Sequence, residues 1–377
     1  MRSRILIAAS VCLVLAACST GATSGSSAGG SPAAAPPPGN SVIDLKVSTT
    51  TGPNGEKPVP VTSLALTEAE VARLRSGKFS AAMLWHTSSA FISAVQSGAT
   101  EEFKRLGIRL GITADANFDA GTQANQIQTA MAQKPSVILS LPVDPTSAEA
   151  AYQPAVRGGT KLVFLSNVPK NFKQGTDYTS IVTDDLFEMG RQAADAMAKA
   201  LGGKGEVGML FYNASYYVTN QRDAAFVQTI ERSWPDIKIT AQQGFTDPNA
   251  AEGIASAMLT QHPNLAGMYT SWATPAAGVL SALRSTSNKK TKVVTLDLDD
   301  PVVVDMVSGG QMAAIVADKA WELGKGMADA AAYALLGKKA PPFAVAGVLT
   351  VTRDNVAQGY QDSLHTDVPT AVKKAMG

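Results

Sequence analysis

Few residues in this 377-residue chain have the types and spacing that catalysis requires. Gly25–Gly29 matches the G-x-S-x-G pattern of serine hydrolases, but no predicted strand precedes it to form the required turn. Gly203–Gly208 matches G-x-G-x-x-G, yet it precedes a predicted strand instead of following one. No Gly-Lys pair is followed by Ser or Thr, which excludes a phosphate-binding P-loop. These failures favour a binding protein over an enzyme.

The composition also argues against metal and nucleic-acid sites. The chain has only three His and two Cys, too few for a multi-ligand zinc site, and His86, His262 and His365 show no metal-ligand spacing. The formal net charge is +1, so no basic field exists to hold nucleic acid. We therefore predict neither a metal nor a cofactor, and no nucleic-acid partner.

The first 17 residues have the features of a signal peptide, since Arg2 and Arg4 precede a short apolar run followed by small residues. The tetrad Leu15-Ala16-Ala17-Cys18 resembles a bacterial lipobox, in which the Cys becomes the lipidated first residue. An ordinary signal peptide with an incidental Cys is the alternative. Ser19–Asn40 has no charged or aromatic side chain. We predict that residues 18–56 form a disordered tether to the membrane.

The rest of the chain alternates apolar β-type runs with helical periodicity, which is typical of parallel sheets covered by helices. The rhythm restarts near Val182, so two α/β halves fit better than one long sheet. Leu66–Glu70 is predicted to begin a helix. The predicted strands are Ser80–Trp85, Ile108–Ile112, Val137–Leu141, Leu162–Leu165, Glu206–Phe211, Ile237–Ala241, Ala266–Tyr269, Lys292–Leu296, Ala313–Val316 and Val345–Val351.

Several segments, in this order and spacing, resemble the type I periplasmic substrate-binding proteins of sugar ABC transporters, in particular the ribose, galactose and xylose-binding group. The resemblance covers about Phe79 to Asp362. The segments that carry it are Phe91–Gly98, Leu141–Pro145, Asp185–Gly190, Asn220-Gln221-Arg222, His262-Pro263, Val294–Asp297 and Val351–Asn355.

The resemblance implies two doubly wound parallel-sheet domains, joined by a hinge of three crossovers, with the ligand held between them. The crossovers are expected near Val182–Asp185, Val316–Lys319 and Pro341–Ala344. The expected division is residues 57–182 plus 319–342 for the first domain, 183–318 plus 343–366 for the second, and 367–377 for a tail.

The resemblance also implies roles for individual residues. Arg222 matches the Arg that donates two hydrogen bonds to sugar hydroxyls, Asp297 the carboxylate that accepts from them, and Phe91 an aromatic that packs on the sugar ring. Ser166-Asn167 replaces the usual Asp of the first domain, and Trp272 stands where Asn is usual.

Further departures leave the ligand class open. Asp318 stands at the family's hinge Gln, and Ser89 replaces an Asn. Two carboxylates facing one Arg would suit a polyhydroxylated ligand but also a cationic one. Trp85 ends the predicted strand Ser80–Trp85, His86 follows that strand, and Tyr217 precedes Arg222. All three are therefore further candidate contacts.

We therefore expect a lipid-anchored solute receptor that closes around a small sugar or sugar alcohol and delivers it to an ABC permease in the membrane. It is expected to be monomeric and extracytoplasmic. A non-sugar ligand such as an amine or nucleoside, and a role as a sensor subunit for a membrane kinase, are the alternatives.

Overall fold

The computed structural model describes residues 45–377, so the predicted signal peptide, Cys18 and most of the tether lie outside the described residues. Two separate sheets form the framework of the described part. Seven strands pair in the order β1-β12-β6-β5-β4-β2-β3, all in parallel, and with their helices they form the first lobe. They are β1 (Val59–Pro60), β2 (Ser80–Trp85), β3 (Arg109–Asp115), β4 (Val137–Ser140), β5 (Lys161–Leu165), β6 (Ser180–Asp184) and β12 (Phe343–Ala346).

The second lobe is built on a sheet with the order β13-β11-β10-β9-β7-β8, in which only β13 runs antiparallel. Its central strands are buried on both faces, which explains their continuous apolar sequences. The strands are β7 (Gly205–Tyr212), β8 (Ile237–Phe245), β9 (Leu265–Thr270), β10 (Lys292–Leu296), β11 (Met312–Asp318) and β13 (Val348–Val351).

Helices cover both sheets, as expected for parallel strands joined by crossovers. The predicted helix start at Leu66–Glu70 is confirmed: Thr67 and Glu70 form a capping box, which satisfies backbone N–H groups of the first turn. The helices are α1 (Glu68–Ser76), α2 (Ala90–Leu106), α3 (Ala120–Ala132), α4 (Pro145–Arg157), α5 (Leu186–Leu201), α6 (Tyr217–Ser233), α7 (Ala251–Gln261), α8 (Ala273–Ser285), α9 (Asp300–Val307), α10 (Ala320–Leu335), α11 (Val356–Leu364) and α12 (Thr370–Met376).

The chain passes between the sheets three times, which confirms the predicted fold class. The first two passages follow β6 and β11, at Asp185 and Lys319, as expected. The third lies at Gly347, beyond the predicted 341–344. The single strand predicted over Val345–Val351 is wrong, because β12 pairs with β6 in the first sheet and β13 with β11 in the second. The domain boundaries stay a prediction, although this pairing favours the first lobe for Phe343–Ala346.

Residues 45–56, which the sequence assigned to the disordered tether, pack instead against the second lobe, and we call this segment the strap. Val47 and Thr50 are buried. The Val47 amide donates to Gln228 Oε1 at 3.3 Å, and Gln228 Nε2 donates to the Leu45 carbonyl at 2.7 Å. The prediction failed here because these partners lie 181 or more residues away in sequence.

Thr50 ties the strap to the first crossover, and its loss should be measurable. Its hydroxyl donates to Asp185 Oδ1 at 2.5 Å and accepts from the Phe187 amide at 2.9 Å, at the start of α5. We expect Thr50→Val to lower the free energy of unfolding by about 1–2 kcal/mol, as for a lost helix cap. The neighbouring exposed Thr49→Val is the control in urea unfolding. Equal stability of the two variants would show that the Thr50 hydrogen bonds contribute nothing.

Candidate functional site

The carboxyl ends of the strands from both sheets meet at a cavity of about 260 Å³ between the lobes. In open parallel sheets, ligands bind beyond the carboxyl ends of strands, so this is the expected position for a site. Eight of the eleven residues predicted for the ligand site line this cavity. They are His86, Ser89, Phe91, Ser166, Arg222, Trp272, Asp297 and Asp318.

Three predicted residues do not line the cavity, and each has another environment. Trp85 is 1% exposed and belongs to the hydrophobic core beneath α2, since it is still part of β2. Tyr217 is the first residue of α6 and faces the strap. Asn167 is fully buried, and its Oδ1 accepts from the Val218 amide at 3.3 Å. Asn167 therefore links the two lobes instead of facing the cavity.

Four non-glycine residues of the lining hold the backbone in the left-handed region, which disfavours side chains. They are Asn117 (φ 48°), Phe118 (φ 59°), Ser166 (φ 57°) and Asp297 (φ 64°). Each lies within three residues after the end of a strand. At these positions the residue borders the cavity. Such strain persists only where the surrounding structure imposes it, and it concentrates at functional sites.

Arg222 is the charged centre of the cavity and is only 4% exposed. Its Nη1 donates to Asp297 Oδ1 at 2.8 Å and lies 3.9 Å from Asp318 Oδ1, while Nη2 donates to the Ser271 carbonyl at 2.9 Å. Burial opposes the charged guanidinium, but the facing carboxylates of Asp297 and Asp318 raise the pKa of Arg222. The arginine is therefore charged and held in one orientation.

Asp184 is a fourth member of this charged cluster that sequence reasoning missed. It is 1% exposed, lines the cavity at the end of β6, and lies against the carboxyl group of Asp318. Burial raises the pKa of Asp184 to about 7, and burial with carboxylate neighbours raises the pKa of Asp297 and Asp318 well above the usual range. Its position at the end of the strand before the first crossover was the signal that could have identified it.

Aromatic rings from both lobes also line the cavity. Trp272 meets Tyr212 edge-on at 5.4 Å between ring centroids, and Tyr212 meets Tyr216 in the same way at 5.7 Å. On the first lobe, the rings of His86 and Phe118 lie edge-on at 5.0 Å. Burial lowers the pKa of His86 to about 3, so its imidazole is neutral. Tyr212 and Phe118 were not predicted, because nothing in their local sequence separates them from core aromatics. The position before Arg222 indicated that Tyr216 or Tyr217 reaches the site, and Tyr216 is the one that lines the cavity.

The raised pKa of Asp184 predicts a stability that depends on pH. A carboxyl group whose pKa is higher in the folded than in the unfolded state stabilises the fold most at low pH, and this contribution is lost as pH rises. Between about pH 4 and pH 7 the free energy of unfolding should therefore fall. Urea unfolding across this range should show a shallower fall in Asp184→Asn, with the exposed Asp236→Asn behaving as the parent chain. Parallel curves for parent and Asp184→Asn would contradict the assignment.

A sequence profile of the periplasmic binding protein domain matches residues 81–339, more than half of the chain. The chain belongs to the periplasmic binding protein family. This membership agrees with the two parallel-sheet lobes and the cavity between them, and it confirms the family resemblance found in the sequence. This is a family of binding proteins that act outside the cytoplasm, which confirms the prediction of a binding protein instead of an enzyme.

Curated relatives extend the comparison. The chain is 26% identical to the D-apiose import binding protein of Actinobacillus succinogenes over 62% of this chain and 74% of the relative. It is 25% identical to the D-allose-binding periplasmic protein of Escherichia coli, over 72% and 91% of the two chains. With the xylitol-binding protein of Mycolicibacterium smegmatis it shares 24% identity, over 71% and 75%.

Solved structures show the same fold. An ABC transporter solute-binding protein from Agrobacterium vitis, bound with α-D-tagatopyranose, superposes with a TM-score of 0.70 at 23% identity, over 76% of this chain and 99% of the other. A sugar-binding protein of a Bacillus halodurans ABC transporter gives a TM-score of 0.67 at 22% identity, over 75% and 100%. Within residues 45–377, no helix is long and apolar enough to cross a membrane.

Proposed function

We propose that the chain is the solute receptor of an ABC importer and binds a small sugar or sugar alcohol between its lobes. The cavity carries this proposal, because fixed charged groups and aromatic rings lie side by side at the carboxyl ends of both sheets. Relatives named for apiose, allose, ribose and xylitol binding support the ligand class. A volume of about 260 Å³ suits a ligand smaller than the drug-sized molecules that fill cavities of about 300–1,000 Å³.

The side chains have complementary tasks in this proposal. The carboxyl groups of Asp297 and Asp318 accept hydrogen bonds from ligand hydroxyls, and Arg222 fixes the orientation of these two carboxyl groups. Trp272 and Phe91 pack on the apolar C–H face of the ligand. His86, Ser89 and Ser166 supply further polar contacts from the first lobe. Asp184 and Tyr216 line the cavity and serve as ligand contacts, whereas Asn167 and Tyr217 do not line it.

Closure of the lobes provides the transport signal. A ligand stabilises the closed form only if it contacts both lobes, and the lining of the cavity comes from both. Two hydrogen bonds already cross between the lobes, from the Val218 amide to Asn167 Oδ1 and from the Tyr216 hydroxyl to the Pro142 carbonyl at 3.4 Å. The closed receptor then docks as a monomer on a membrane permease, and the chain itself catalyses no reaction.

The membrane anchor completes the proposal. Cys18 carries the lipid, and the residues that follow it connect the lipid to the strap. Labelled palmitate should be incorporated into the parent chain and not into Cys18→Ser. Equal labelling of the two chains would exclude Cys18 as the lipidated residue.

A thermal-shift screen of the full chain against pentoses, hexoses, sugar alcohols, nucleosides and amines tests the ligand class. A ligand at 100 times its dissociation constant adds about 2.7 kcal/mol of stability, which corresponds to a shift of several degrees. We expect a shift with one sugar or sugar alcohol that is lost in Asp297→Asn and kept in the exposed Asp236→Asn. Shifts with nucleosides alone, or with no compound, would contradict the proposal.

A further inference from the structure

The cavity has more carboxyl groups than positively charged groups. Four carboxyl groups line it, from Asp184, Asp297, Asp299 and Asp318. Among the lining residues that the structure describes, Arg222 is the one permanently charged cation, and it already pairs with Asp297. The neutral His86 adds no positive charge. An uncompensated buried carboxylate is unfavourable, which is why the pKa values of Asp184, Asp297 and Asp318 are raised, and a cation bound among them would allow them to ionise.

Asp184 has a carboxyl oxygen without a hydrogen-bond partner. Its Oδ1 is buried and finds no hydrogen-bond donor among residues 45–377, although the side chain borders the cavity. Its neighbour Asp318 also has a carboxyl group, and Arg222 Nη1 lies 3.9 Å from Asp318 Oδ1, which is too far for a hydrogen bond. A ligand that places a donor beside Asp184 would satisfy this oxygen, and a charged donor would satisfy it best.

The aromatic lining also suits a cation. The rings of Phe91, Tyr212, Tyr216 and Trp272 border the same cavity. The face of an aromatic ring attracts a cation, and the attraction grows when the cation is desolvated. Carboxylates and aromatic faces together form the usual surroundings of a bound ammonium group, whereas a neutral ligand supplies no charge that would allow the carboxyl groups to ionise.

We propose that the preferred ligand is a sugar or sugar alcohol that carries a protonated amine, with the ammonium group donating to Asp184 and Asp318. The inference rests on the proposed receptor function and narrows its ligand class. The hydroxyl groups of such a ligand face Arg222 and Asp297, while its C–H face packs on Trp272.

Matched ligand pairs test this inference by titration calorimetry on the full chain. The pairs are D-glucose with D-glucosamine, D-galactose with D-galactosamine, and D-glucitol with D-glucamine, and N-acetyl-D-glucosamine serves as an uncharged analogue of similar size. In at least one pair, the aminated member should bind at least tenfold more tightly than its neutral partner. Asp184→Asn should remove most of this preference, and the exposed Asp236→Asn should retain it. Asp318→Asn, at the other proposed partner of the ammonium group, is the second variant if Asp184→Asn fails to fold.

The outcomes separate the inference from the function on which it rests. Equal or tighter binding of the neutral partners would overturn the amine and leave the sugar receptor standing. A preference for amines that survives in both Asp184→Asn and Asp318→Asn would overturn the assignment to these carboxyl groups. Failure of every sugar and sugar alcohol, neutral or aminated, would count against the receptor function as well.

Discussion

Replacing Arg222 with methionine is expected to lower the free energy of unfolding by about 3–5 kcal/mol and to abolish ligand binding. The guanidinium is buried against Asp297 and Asp318, so its removal leaves carboxyl groups without a compensating charge. Breaking a buried pair by removing one partner costs about this much. The carboxyl groups can reduce the cost by binding protons, so the loss should be larger at pH 8 than at pH 5.

Arg191→Met is the matched control for this effect. Arg191 also pairs with two carboxylates, those of Glu188 and Asp195, but its side chain is 40% exposed. Solvent-exposed pairs contribute about 0–1 kcal/mol, so this variant should stay close to the parent in urea unfolding and in ligand binding. If both variants lost stability equally, or if Arg222→Met still bound ligand with unchanged affinity, the central role of Arg222 would be refuted.

The second large effect is expected at Gly324, where α10 crosses α2. A Cβ at this position would overlap the backbone carbonyl oxygen of Val95, and one at Gly98 would overlap that of Trp321. Backbone atoms cannot move aside as a flexible side chain can, so the two helices would have to separate. We expect Gly324→Ala to destabilise the fold by about 3 kcal/mol or more, the upper end of the effects of overpacking.

Gly253→Ala is the control for this prediction. Gly253 lies within α7, and a Cβ there would meet no atom within 4 Å. Alanine is a better helix former than glycine by about 1 kcal/mol, so this variant should be as stable as the parent or more stable. Thermal unfolding of the two variants gives the comparison, and a tolerated Gly324→Ala would refute the close helix contact.

Local sequence patterns predicted most of the strands and helices, because their signals lie within a few residues. Apolar runs identified the buried strands, and Thr67 with Glu70 identified the start of α1. The patterns failed where a distant partner decided the structure. Val345–Val351 has one continuous β-type sequence, yet Gly347 divides it between two sheets whose other strands lie far away in the chain.

The site shows the same division. The residues that follow strand ends could be predicted as a group, since parallel strands bring their carboxyl ends to one edge. Which of those residues turn towards the cavity depends on packing. Asn167 and Trp85 are the sequence neighbours of Ser166 and His86, but Asn167 bonds across the lobes and Trp85 enters the core.

The sequence by itself determined that this chain folds as two α/β halves and binds a small ligand without catalysing a reaction. The order of its strands, the short motifs and the lack of catalytic spacing were enough for this, because each is a local or sequential property. Only the tertiary structure placed Asp184 beside Asp318 and Arg222, fixed the strap on the second lobe and brought Gly324 against Val95. Most of these contacts join residues more than 100 positions apart, and the pKa of a buried carboxyl group depends on the neighbours that such contacts supply.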